Sequence, residues 1–188
     1  ANENTVFTVS HDVKIEGKEL KAGTYGLFLA VAKEGAYTWI FSKNSSSWGS
    51  YFYDAKEDAL RVEVMPQEAP HKEWLTFGFE DRLPSSVKAY LRWEKKRIPF
   101  NIEVPNINEV YVSKMREDLR SSVGFKQENW LPAAQFCAQN KINLEEALAW
   151  VDQSVSTPFI GVENFNTYQT RAALYRALGK ATEANAQM

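Results

Sequence analysis

Apolar and polar positions alternate with a period of two through most of the first hundred residues, and short polar turns interrupt them. The most strand-like run is residues 22–32, which follows a turn containing Gly23 and ends before the turn at Glu34-Gly35. Alternation with one polar face is typical of strands that are covered on one side only. The strand candidates of this part are residues 5–9, 13–15, 18–20, 22–32 and 36–42. We expect them to form an antiparallel meander with residues 22–32 as a central strand.

The same alternation returns after residue 59 and continues to residue 104. The apolar sets are Leu60, Val62 and Val64; Leu75, Phe77 and Phe79; Val87, Ala89, Leu91 and Trp93; and Ile98, Phe100, Ile102 and Val104. About eight strands with one apolar face each need a second sheet to cover that face. The pattern therefore predicts an antiparallel β-sandwich with a jelly-roll-like arrangement.

After Pro105 the apolar period changes to that of a helix, with Tyr111, Met115 and Leu119 at every fourth position. The predicted helices begin at Asn106 or Asn108 and end before Gly124, then cover residues 129–140, 144–155 and 165–178. We expect a capping box of Asn143 and Glu146 at the start of the third helix. The fold class is therefore α+β, with a β-sandwich domain at 1–105 and a four-helix tail at 106–188 that packs on or beside it.

The last two predicted helices contain small and aromatic residues at a spacing similar to that of a helical repeat. The residues are Ala173, Tyr175, Gly179 and Ala184. They resemble the second half of a tetratricopeptide unit, a helix pair that normally stacks on neighbouring units. The resemblance implies a peptide-binding array. The alternative is a helical tail that packs on itself and on the sandwich.

Residues 43–59 break the strand pattern and combine aromatic with charged side chains. The candidate binding residues of this segment are Trp48, Tyr51, Tyr53, Asp54, Asp58 and Arg61, with Phe52 beside them. Sugars stack their C–H faces on aromatic rings, and their hydroxyl groups seek carboxylate and guanidinium partners. The segment is therefore a candidate site for a glycan or a protein partner. The alternative is that the same rings fix a long loop onto the sandwich.

Carboxylates in the same region allow two further interpretations. Asp54, Glu57 and Asp58 could offer oxygen ligands to calcium, but the spacing and glycine of a calcium loop are missing, which favours a solvated turn. Glu3, Asp54 and Asp58 could instead serve a hydrolase, provided that two of them converge in a concave pocket. No catalytic residue, metal ligand or cofactor is assigned.

Charge and composition limit the remaining classes of function. The residues up to Pro105 carry 14 basic and 15 acidic side chains, and the remainder carry 8 and 9, so neither part is basic enough to suggest nucleic-acid binding. Cys137 is the one cysteine and lies in an apolar helical pattern, which indicates a buried small side chain rather than a nucleophile. The two histidines, His11 and His71, are too far apart for a zinc motif. No apolar run reaches the length of a membrane span.

Several short motifs together are similar to a family of bacterial proteins. They are Ala1-Asn2-Glu3-Asn4-Thr5, Ala22-Gly23-Thr24-Tyr25, Trp48-Gly49 and Tyr53-Asp54 with Asp58 and Arg61-Val62. They resemble the domain of unknown function number 2911, which is common in Bacteroidetes-type bacteria. The resemblance covers residues 1–105 and implies no established activity. Its members usually carry a secretion signal, which implies an extracytoplasmic protein whose signal peptide has been removed.

Members of that family typically have further strand-forming residues and a Trp-Arg-Thr-Gly run before the motif that begins here at Ala1. A first strand or two is therefore expected to be absent from this chain. A sheet without its outer strand exposes an edge that can pair with another chain. We therefore expect homo-oligomer association through an exposed sheet edge.

Two classes of function follow from these observations. The first is a non-catalytic extracytoplasmic binding module for a glycan or a protein partner, with the segment from Trp48 to Arg61 and Glu3 as its site. The second is a hydrolase that uses the carboxylates around that segment.

Overall fold

The computed structural model describes residues 3–159 and 161–187. The chain divides into two compact units, Ala1–Pro105 and Asn106–Met188, which are described one after the other. The first is called the β unit and the second the helical unit.

Over its described residues, 3–105, the β unit contains eight strands in two antiparallel sheets of four. The strands are β1 (Thr5–Val9), β2 (Val13–Ile15), β3 (Lys18–Leu20), β4 (Gly23–Ala30), β5 (Tyr37–Ser42), β6 (Asp58–Val64), β7 (Gln67–Leu83) and β8 (Ser86–Glu103). Sheet 1 has the order β1-β4-β5-β6, and sheet 2 has the order β3-β2-β8-β7. A central position for β4 is therefore confirmed.

The apolar faces of the two sheets meet in one core. Phe100 of sheet 2 packs against three rings of sheet 1, with centroid distances of 6.0 Å to Phe7, 5.1 Å to Trp39 and 5.7 Å to Phe41. These contacts are edge-to-face, an arrangement that aromatic rings favour in protein cores. The two sheets, with helices after them, confirm the predicted α+β fold with a helical tail.

The order of the strands differs from a meander. The hairpin of β2 and β3 leaves sheet 1 and joins sheet 2, so that β1 pairs with β4 instead of with its neighbour in sequence. The two strand candidates within residues 87–104 are one long strand, β8. Their apolar alternation stops at the charged residues 94–97, but these residues continue to pair with β7 across bulges.

The sandwich has one closed and one open side. On the closed side, the outer strands β3 and β6 are joined by Lys18, whose Nζ donates to the backbone oxygen of Arg61 at 3.1 Å. On the open side, the outer strands are β1 and β7. There the inward-facing side chains of β7 stay half exposed, with Leu75 at 51% and Phe77 at 47%.

The helical unit packs around its own apolar core. Its helices are α1 (Ile107–Leu119), α2 (Gln127–Asn140), α3 (Leu144–Ser156), α4 (Phe165–Ala177) and α5 (Ala181–Ala186). The core contains the fully buried residues Val112, Ala134, Cys137, Ala147, Val151 and Leu174. The short α5 adds a fifth helix to the four expected, after a turn at Gly179 with φ of +78°. Within the described residues, no helix is long and apolar enough to cross a membrane.

The predicted capping box at Asn143 is wrong. Asn143 has a left-handed backbone with φ of 46°, and its side-chain nitrogen donates to Glu109 Oε2 at 3.2 Å instead of capping α3. The carboxylate of Glu146 accepts two 2.6 Å hydrogen bonds from Arg116, and these bonds hold the pKa of Glu146 below its usual value. The capping box of this unit is at Asn164, where α4 begins.

Candidate functional site

The segment between β5 and β6 is closed by hydrogen bonds to its own ends and to the residues before β1. Lys43 N donates to Glu57 O at 2.8 Å, and Asn4 N donates to Ser47 O at 3.1 Å. The side-chain nitrogen of Asn4 also donates to Asn44 O at 3.1 Å. This crossing lies directly over Gly26, where an added Cβ would come within 2.3 Å of Asn44 O. Gly26 therefore allows the segment to lie close against sheet 1.

Tyr53, Asp58 and Arg61 are brought together, as their spacing in the sequence allows. The Tyr53 hydroxyl donates to Asp58 Oδ2 at 2.7 Å, and Arg61 Nη1 donates to the same oxygen at 2.7 Å and to the Tyr53 oxygen at 2.9 Å. The Tyr53 ring packs on Phe28 at 5.3 Å. Burial, followed by the hydrogen bond to Asp58, raises the pKa of Tyr53. The bond to Asp58 likewise raises the pKa of Arg61. Apart from Asp58 Oδ1, which has no hydrogen-bond partner among the described residues, these polar groups satisfy one another and fix the segment onto the sandwich.

The neighbouring carboxylates have structural roles as well. Asp54 begins a short 3₁₀ turn at Ala55–Glu57, and its Oδ1 accepts a 2.9 Å hydrogen bond from Lys56 N. Glu57 Oε2 accepts a hydrogen bond from Asn44 Nδ2 at 3.1 Å. Across the described residues, no group of three or more histidine, cysteine, aspartate or glutamate side chains could hold a metal ion.

Three aromatic side chains of the segment remain exposed. Trp48 is 58% exposed, Tyr51 78% and Phe52 63%. They contact one another edge to face, with centroids 6.4 Å apart for Trp48 and Tyr51 and 5.0 Å apart for Tyr51 and Phe52. We call these three residues the aromatic cluster. Because the rings are tilted, they form a ridge and not one flat platform.

A cavity of about 510 Å³ lies on the open side of the sandwich. It is lined by Glu3, Asn4, Thr5, Leu27, Phe28, Leu29, Ala30, Trp39, Ile40, Gly49, Ser50, Tyr53, Leu75, Phe77 and Leu91. We call it the open-side cavity. Of the residues proposed from the sequence, only Glu3 and Tyr53 line it. Most of the other lining residues, such as Leu29, Trp39 and Leu75, lie at apolar strand positions far apart in the chain, so their alternation indicates burial but not a shared cavity.

Two buried polar atoms belong to residues that line this cavity. Trp39 is 1% exposed, and its Nε1 has no hydrogen-bond partner among the described residues. The same holds for Asn4 Oδ1, whose amide orientation is set by the bond from its nitrogen to Asn44 O. Buried donors and acceptors are satisfied in most proteins, because an unpaired one costs about 1–3 kcal/mol. Both atoms are themselves buried, so neither is exposed to a ligand in the open cavity.

The three carboxylates considered for hydrolysis do not meet in this cavity. Glu3 lines it, whereas Asp54 caps its turn and Asp58 is bound by Tyr53 and Arg61. General acid–base hydrolysis by a carboxylate pair needs both groups at one bond of the substrate. The arrangement of these three residues does not supply such a pair.

Cys137 is fully buried, and burial raises the pKa of its thiol to about 11. A thiol at this pKa carries almost no thiolate near neutral pH, and the thiolate is the nucleophilic form. The interpretation of Cys137 as a buried small side chain is confirmed.

Comparison with known proteins gives one family. No curated protein and no solved structure matches the chain. The matching family is described as "Protein of unknown function (DUF2911)", and the match covers residues 1–102, which are more than half of the chain and nearly all of the β unit. Of the motifs that resembled this family, Ala1 and Asn2 lie outside the described residues, whereas Glu3 and Tyr53 line the open-side cavity. The chain belongs to the DUF2911 family of proteins of unknown function.

Proposed function

We propose that the protein is an extracytoplasmic, non-catalytic binding module whose binding site is the open-side cavity. The observation that carries the proposal is the mostly apolar lining of this cavity, in which Leu75 and Phe77 of β7 remain half exposed. Ligand sites in proteins are typically mostly apolar clefts of roughly 300–1,000 Å³ with a few placed polar groups. The volume and the lining of this cavity agree with that description.

The free energy of binding would come mainly from apolar surface. Leu75 and Phe77 are half exposed, and a ligand in the cavity would remove part of their surface from water. Each square ångström of apolar surface buried contributes about 25 cal/mol. A protein partner with an apolar segment fits such a lining better than a highly hydroxylated ligand does.

Fluorescence of the neutral dye Nile red, added to the full chain, tests this site. We expect the dye to bind with an emission shift to shorter wavelengths, and Phe77→Arg to weaken its binding by about tenfold because a charge would enter the cavity. Phe79→Arg is the matched control: Phe79 lies two residues away on β7 and is 53% exposed, but it does not line the cavity. Equal loss in both variants, or no binding at all, would contradict the proposal.

A glycan is the second candidate ligand, and the exposed aromatic cluster is the observation that favours it. Trp48, Tyr51 and Phe52 offer ring faces beside Gly49 and Ser50, which line the edge of the cavity. Thermal-shift measurements against a glycan panel test this candidate. A glycan at 100 times its dissociation constant should add about 2.7 kcal/mol of stability. Trp48→Ala should abolish the shift, and a shift that persists would show that the cluster is not the site.

A further inference from the structure

We draw no further inference here: the strongest candidate, the open groove between α1 and α2 that is lined by Met115, Pro132 and Phe136, carries none because nothing in the structure shows what covers it.

Discussion

The closed and open sides of one sandwich differ in how well their apolar faces are matched. Towards the closed side, Ile15 and Val62 are almost completely buried, and Lys18 joins the outer strands. On the open side, Leu75 and Phe77 carry the same alternation but are half exposed. The residue types are alike, so the difference lies in what faces them. Exposed apolar patches are typical of interaction surfaces, which is why we propose the binding site on the open side.

The largest effect should come from the core that both sides share. Phe100→Ala removes a ring in contact with Phe7, Trp39 and Phe41 and should lower the free energy of unfolding by about 3–5 kcal/mol. Phe77→Ala, on the open side, should cost less than about 1 kcal/mol because its ring is half exposed. Urea denaturation followed by circular dichroism measures both. Similar losses would remove the distinction between the two sides.

A smaller effect is expected where the segment between β5 and β6 crosses β4. In Gly26→Ala, the new methyl group would meet Asn44 O at 2.3 Å and Asn4 Nδ2 at 2.4 Å, so the crossing must shift. Such overpacking costs about 1–3 kcal/mol. Denaturation measures the loss, and the amide spectrum should show that Asn4 has moved. An unchanged midpoint would mean that the segment is not held against the sheet as described.

Removal of the Asp58 carboxylate should lower the free energy of unfolding by a similar or smaller amount. Asp58→Ala leaves the Tyr53 hydroxyl and the Arg61 guanidinium without their shared acceptor and should cost about 1–3 kcal/mol. Asp54→Ala is a control four residues before β6 begins, and its exposed carboxylate caps only a short turn. If the two variants unfold at the same urea concentration, the Tyr53–Asp58–Arg61 contacts do not hold the segment.

The smallest effect is a dependence of stability on alkaline pH. Burial and the bond to Asp58 raise the pKa of Tyr53 in the folded protein, so the folded state retains this proton more tightly than the unfolded chain does. The contribution is complete below the unfolded pKa of about 10 and is lost as the pH rises above it. Tyr53→Phe should therefore lose less stability than the parent between pH values of about 8 and 11. Parallel pH curves would contradict this role.

The sequence predicts where the strands of the β unit lie better than it predicts which strands pair with each other. Positions such as Trp39, Phe41 and Phe100 follow from period-two alternation, because alternation reports which side of a strand is buried. Alternation does not report which strand lies alongside, so the transfer of β2 and β3 to sheet 2 does not follow from it. The predicted capping box at Asn143 is wrong for a related reason, because Arg116, which is distant in sequence, binds the carboxylate of Glu146.

The candidate site was only partly predictable for the same reason. The aromatic segment was identifiable because its residues are close in sequence, and Tyr53, Asp58 and Arg61 do meet. The open-side cavity combines Glu3, residues 27–30 and β7, which the chain brings together only through the fold of both sheets. Nothing in the local pattern around Leu75 or Phe77 distinguishes them from core residues.

The central claim is that the open side binds an apolar ligand, and the backbone amide resonances of residues 28–30, which line the cavity, test it most directly. These resonances can be followed in the ¹⁵N-labelled full chain while Nile red is added. We predict that the dye moves them and that Phe77→Arg prevents the change. Resonances of residues 28–30 that stay in place while the indole resonance of Trp48 moves would contradict the account and would assign binding to the aromatic cluster.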